Sequence, residues 1–158
     1  MPVTKDEFRA ALSHFASGVT VVTTKDPTGL MHGITVSAFC SVSLNPPMVL
    51  VCIEKTTSSH YAFNESDHFV VNILRSDQSG LSEHFASDLK DKFAEAKYDL
   101  TADGLPILPD CIANLQCRLR MAWDGGDHTI FVGEVEDVQV VGGEPLVYFH
   151  GAYRMLDN

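Results

Sequence analysis

The chain has 158 residues and a mass of 17.3 kDa, room for one hydrophobic core and one domain over residues 1–158. Apolar residues make up 45% and charged residues 20%, which excludes global disorder. A formal charge of −10, most lopsided after residue 99 and without any Lys/Arg cluster, excludes electrostatic binding of nucleic acid or of an anionic membrane. The longest apolar runs, such as Pro46 to Ile53, are too short to span a bilayer, and Met-Pro-Val-Thr-Lys-Asp-Glu has no apolar signal region, so a cytoplasmic protein is expected.

The first segment reads as a helix. Thr4 followed by Glu7 forms a capping box, and Phe8, Ala11, Leu12 and Phe15 repeat at helical spacing until Gly18, as one apolar stripe. The rhythm then becomes that of strands. Gly18 to Thr24 is almost wholly β-branched, and Asp26-Pro-Thr-Gly29 is a turn. His32 to Phe39 and Ser41 to Leu44 read as a bent strand or hairpin arm. Asn45-Pro46-Pro47 turns into a buried strand, Met48 to Ile53. Ser58 or Ser59 is placed to cap a short helix ending near Asn64, and Phe69 to Leu74 is another strand.

Residues 76–97 form a second helical region, with Leu81, Phe85 and Leu89 on one face, broken by Gly104-Leu-Pro106 and Pro109. Cys111 to Trp123 alternates like a half-exposed strand. Asp124-Gly-Gly-Asp127 is a tight turn, His128 to Val141 a long strand, and Leu146 to His150 the last. Six to eight strands joined by turns too short for helical crossovers must pair antiparallel, and closure into a barrel protects their edges. The expected fold is therefore mainly β, a small antiparallel barrel with peripheral helices. Cys40, Cys52, Cys111 and Cys117 contain no CxxC pair and sit in apolar stretches, the pattern of reduced core thiols; no metal site is expected.

There is no GxGxxG after a strand, no P-loop, no GxSxG elbow and no HExxH. Three local features remain. Small and hydroxylated residues recur from Gly33 to Ser37 and at Ser41 and Ser43, where a flat ligand could lie; a solvent-facing strand explains them as well. Lys55-Thr-Thr-Ser-Ser59 offers hydroxyls, amides and one ammonium to a phosphate monoester, or simply caps a helix beside a solvated lysine. Gly126-Asp127-His128 puts an imidazole at a strand mouth, for a ligand or only for the turn.

These features fall in order within a longer pattern. Phe8-Arg9, Phe15-Ala-Ser-Gly-Val-Thr-Val-Val-Thr24, His32-Gly-Ile-Thr-Val-Ser-Ala-Phe39, Ser41 to Pro46, Phe69 to Leu74, Phe85-Ala86, Gly104-Leu-Pro106, Gly126-Asp-His128 with Gly133-Glu-Val135, and Pro145-Leu146 through Gly151 to Tyr153 together resemble the short flavin reductases of two-component monooxygenases. The resemblance implies a single flavin reductase domain with an FMN-binding split-barrel fold, antiparallel and Greek-key-like. It also implies a homodimer using NADH or NADPH to reduce FAD or FMN for a separate oxygenase component. By this similarity Thr35, Val36, Ser37, Ser41 and Ser43 line the flavin slot, Lys55 with Ser58 or Ser59 faces the phosphate, and His128 with Asp127 meets the nicotinamide, with Tyr153 nearby. Hydride transfer is the flavin's own chemistry, so no acid or nucleophile is required. The low basic count favours NADH over NADPH, whose 2′-phosphate usually recruits Arg. A flavin-binding electron carrier and a ferric or cobalamin reductase are the alternatives on the same fold.

Overall fold

A computed structural model describes residues 2–157. Helix α1 spans Lys5–Leu12 and is followed by β1 (Ser17–Gly18), β2 (Thr20–Lys25), β3 (Met31–Val36), β4 (Phe39–Leu44) and β5 (Pro47–Glu54). Helix α2 (His60–Glu65), β6 (His68–Ile73) and α3 (Ser79–Ala86) come next, then the short β7 (Asp99–Leu100) and β8 (Pro106–Ile107). The long hairpin of β9 (Ala113–Gly125) and β10 (His128–Val140) precedes β11 (Val147–Phe149) and β12 (Ala152–Arg154).

Seven strands pair in the order β3-β2-β6-β9-β10-β5-β4, antiparallel at every rung. The two edges, β3 and β4, are joined only by Ser37 and Ala38. So short a link brings the last stave back to the first, and the sheet has to curl. Val36 from one edge and Phe39 from the other accordingly pack on the same core as Val22, Val51, Phe69 and Phe131. The β3–β4 seam carries no ladder among the described residues, so the barrel is split. The expected bent strand over 32–44 is thus two strands on opposite sides of that seam.

Burial explains the composition of β2. Val21 and Val22 point to opposite faces and both are fully buried, one in the barrel and one under the outer layer, which also holds Leu74, Phe85, Phe93, Leu108 and Leu146. Its threonines are buried too, and each hydroxyl donates to a carbonyl: Thr20 to Val36, Thr23 to Pro106 and Thr24 to His68, all at 2.6 Å. Asn72, fully buried, donates to the Val21 carbonyl (2.9 Å) and accepts from Leu108 N–H (3.0 Å) and Asn114 (2.8 Å). Buried polar groups are affordable only when paired in this way.

Several expectations need correction. The capping box forms, with Thr4 accepting from Glu7 N–H and the Glu7 carboxylate from Thr4 N–H, and the Phe8, Leu12 and Phe15 stripe is exposed. The helix expected over 76–97 stops at Ala86, because Lys92 and Phe93 are drawn back against Gly33 and Phe85. Ser59 occupies the N-cap of α2 without capping it. Only Cys111 and Cys117 are core thiols, pushed up to about 11 and about 12 by burial, whereas Cys40 is exposed and Cys52 half-buried. No helix among the described residues is long and apolar enough to cross a membrane.

Candidate active site

One groove of about 720 Å3 opens beside β3. Its floor is the Met31–Ile34 stretch, one wall is the loop after β5 from Thr56 to Ser59 with Tyr61, and the other wall is the segment from Phe85 to Phe93. Its size matches that of small-molecule sites in general. Gly33 is required on the floor: a Cβ there would stand 2.7 Å from two carbons of the Phe85 ring. That close approach lets the helical wall lie directly on the strand.

The wall is fastened in three places. Lys92 Nζ donates to the Gly33 carbonyl (3.1 Å) and the Phe85 carbonyl (2.8 Å). Thr35 Oγ donates to the Ser82 carbonyl (2.6 Å), and the Ser82 and Tyr153 hydroxyls meet at 2.8 Å. Burial lowers the Lys92 ammonium from its ordinary pKa, partly offset by Asp88. Its two hydrogen-bond acceptors are neutral carbonyls, and Lys90 lines the same groove together with the acidic Glu54 and Asp88.

The opposite wall rests on a buried polar knot. The turn after β2 holds Asp26, whose Oδ1 accepts from Thr28 N–H, the Thr28 hydroxyl (2.6 Å) and Leu30 N–H. Its Oδ2 accepts from the Tyr61 hydroxyl (2.8 Å) and lies 3.1 Å from His32 Nε2. The Thr28 hydroxyl bond contributes most to holding the Asp26 carboxyl far below the ordinary carboxylate range, against the opposing effect of burial. On its other side His32 Nδ1 lies 3.3 Å from Ser59 Oγ.

The β9–β10 turn lies beside Glu54, one of the residues that line the groove. Gly126, at φ 78°, supplies the left-handed conformation of a two-residue hairpin loop. His128 Nδ1 lies 2.7 Å from Asp127 Oδ1, and His128 faces Glu54 across the β10–β5 ladder. Lys55 is tied to the same turn twice: its N–H donates to the Asp127 carbonyl (2.9 Å) and its ammonium pairs with Asp124.

The residues read from the sequence therefore divide. Ser58 and Ser59 line the groove, whereas Lys55, Asp127 and His128 are not among its lining residues and cluster at the β9–β10 turn beside Glu54. Thr35 and Tyr153 meet at Ser82 and brace the wall. The Val36 side chain lies in the barrel core, and its carbonyl accepts from the Thr20 hydroxyl. Ser37 lines a second, mostly apolar groove of about 670 Å3 together with Phe8, Leu12, Phe15, Cys40 and Cys52, while Ser41 and Ser43 lie on edge strand β4. Sequence reasoning missed Asp26, Tyr61 and Lys92 as neighbours of the site. Asp26 carried a signal only for its turn, and nothing local marked Lys92.

Residues 12–157 match the model of the flavin reductase like domain. The chain is 42% identical over 146 residues to an FMN reductase (NADH), SmoA, of Agrobacterium fabrum, covering 92% of this chain and 83% of that one. It is also 42% identical over 152 residues to the reductase component of a 4-nitrophenol 4-monooxygenase/4-nitrocatechol 2-monooxygenase of Rhodococcus opacus, covering 96% and 81%. The solved structure of the Streptomyces globisporus NADH:FAD oxidoreductase SgcE6, in complex with NAD and FAD fragments, superimposes with a TM-score of 0.92 at 32% identity, covering 97% of this chain and 93% of that one. With the split barrel, the extent of these matches and their agreement, the chain belongs to the flavin reductase like domain family.

Proposed function

We propose that the protein is an NADH-dependent flavin reductase that reduces FMN or FAD and releases the product to a separate monooxygenase component. The observation that carries this reading is the groove itself. Thr57, Ser58 and Ser59 line one wall and Lys90 and Lys92 the other, alongside Glu54 and Asp88, which suits a phosphate-bearing planar ligand. The flavin is a substrate whose ring accepts the hydride; the chain binds and aligns the two partners. Ser58 and Ser59 hold the phosphate end, Lys92 supplies fixed positive charge, and His128, oriented by Asp127, receives the nicotinamide end. With so few anchors the flavin leaves readily, as a delivered product must.

The reading includes a homodimer. The exposed side chains of Phe8 (60%), Leu12 (51%) and Phe15 (75%) border the second groove. A contiguous apolar surface of this kind is covered in solution by another molecule. A second copy of the chain is the occupant that the family resemblance implies.

The test is steady-state oxidation of NADH and NADPH with free FMN, FAD and riboflavin. Continuous turnover with NADH and FMN or FAD is expected. Consumption that stops after one equivalent of bound flavin would instead identify an electron carrier.

A further inference from the structure

The buried chain Asp26–His32–Ser59 crosses from a turn to the groove wall and has a directional chemistry of its own. Four donors from Thr28, Leu30 and Tyr61 fix Asp26 as a carboxylate, which can only accept. His32 Nε2, 3.1 Å away, therefore carries a proton. The other ring nitrogen, Nδ1, lies 3.3 Å from Ser59 Oγ and has two states. When the imidazole is neutral, Nδ1 accepts, and the Ser59 hydroxyl is committed to donating to it. Ser59 Oγ then offers only lone pairs to the groove. When the ring is imidazolium, Nδ1–H donates to Ser59 Oγ, and the serine proton is released toward the groove.

An anionic oxygen is recognised only by the second arrangement. Resting on the reading that this groove takes the flavin phosphate, we infer that His32 is a positioning residue that couples binding of a phosphate monoester at Ser59 to the uptake of one proton. The proton comes from solvent and ends on His32 Nδ1, while the Ser59 proton turns from Nδ1 to the phosphate oxygen; no other bond changes. Riboflavin, which has the same ring system without the phosphate, has no such linkage. Ser59 is 6% exposed, so water has little room to substitute for either partner.

Other charged and titratable groups surround this chain. The Tyr61 phenol meets the His32 ring edge-on, with centroids 5.2 Å apart, and Glu65 lies behind it. Glu54 from β5, and Asp88, Lys90 and Lys92 from the segment after α3, line the same groove. Removing the imidazole alone leaves all of these in place.

The experiment is calorimetric titration of the intact protein with FMN and with riboflavin at pH 8 in two buffers of different ionisation enthalpy, for wild type, H32Q and S59A. Wild type should take up roughly one proton with FMN and none with riboflavin, and both variants none with either. The ratio of KM for riboflavin to KM for FMN should also fall as pH rises in wild type and be flat in H32Q. Uptake that persists in H32Q or S59A would place the proton elsewhere and overturn the inference. So would equal uptake for the two flavins in wild type, with turnover intact. If wild type oxidises NADH with neither flavin, the functional reading fails first and takes this inference with it.

Discussion

Replacing Gly33 by alanine tests whether the floor and the helical wall of the groove touch as described. The new Cβ would lie 2.7 Å from Cδ1 and Cε1 of Phe85 and 3.2 Å from Cζ of Phe93. Relaxed carbon contacts are about 3.5–4.0 Å, so the Phe85 ring must retreat by about 1 Å. It has no free space: Phe85 is fully buried and packs edge-on against both His84 and Phe93. Over-packing of this kind costs about 1–3 kcal/mol. For a domain of this size, about 2 kcal/mol lowers Tm by roughly 4–8 °C. Gly33 and Phe85 also provide both carbonyls that hold Lys92, so the KM for flavin should rise along with the loss of stability. Thermal unfolding and steady-state kinetics of G33A read both effects. F85L should relieve part of the strain in the double variant, with a coupling on the order of 0.5–3 kcal/mol. A G33A protein with wild-type Tm and KM would refute the packing argument.

N72A should cost about 3 kcal/mol in urea unfolding, because Leu108 N–H and Asn114 lose a buried acceptor and the Val21 carbonyl a donor. The Asp26 carboxyl is depressed in the folded state, so its stabilisation is present above its unfolded value of about 3.9 and fades as pH falls below it. D26N should therefore lower the urea midpoint at pH 7, and the gap from wild type should narrow toward pH 3. H128A should raise the KM for NADH more than it weakens flavin binding; an unchanged KM for NADH would remove that assignment. Replacing Phe8 and Leu12 together by aspartate should shift sedimentation toward the monomer, at little expense to a core those side chains do not join. A thiol reagent should modify Cys40 in the folded dimer-disrupted protein, while Cys111 and Cys117 wait for unfolding.

Local chemistry was mostly readable where its partners lay close in the chain, although Ser59 takes the N-cap position without capping. The Thr4–Glu7 box, the Asp26 turn and the Gly126 hairpin each form among residues at most four apart. The strands were readable because β-branched runs and alternation persist over several residues. Periodicity showed that Phe8, Leu12 and Phe15 share a face, but it carries no information about what covers that face. Spacing likewise supported a helix through 97, and tertiary contacts of Lys92 and Phe93 overrode it. The candidate site suffered most from this limit. Its polar knot joins residues 26, 32, 59 and 61, and its cation comes from residue 92; only folding makes them neighbours. Thr35 looked like a ligand-facing hydroxyl, yet in the fold that hydroxyl grips the Ser82 carbonyl.

The ammonium of Lys92 is clasped by two peptide oxygens, one from the barrel and one from the end of α3. It acts as a rivet. Mobile ions that would screen an exposed lysine have poor access to this one, so concentrated salt should loosen the hold on a phosphate long before it loosens the joint between strand and helix. Trimming the amine away would remove more than a charge from the groove: the plate that forms one side of it would come unfastened.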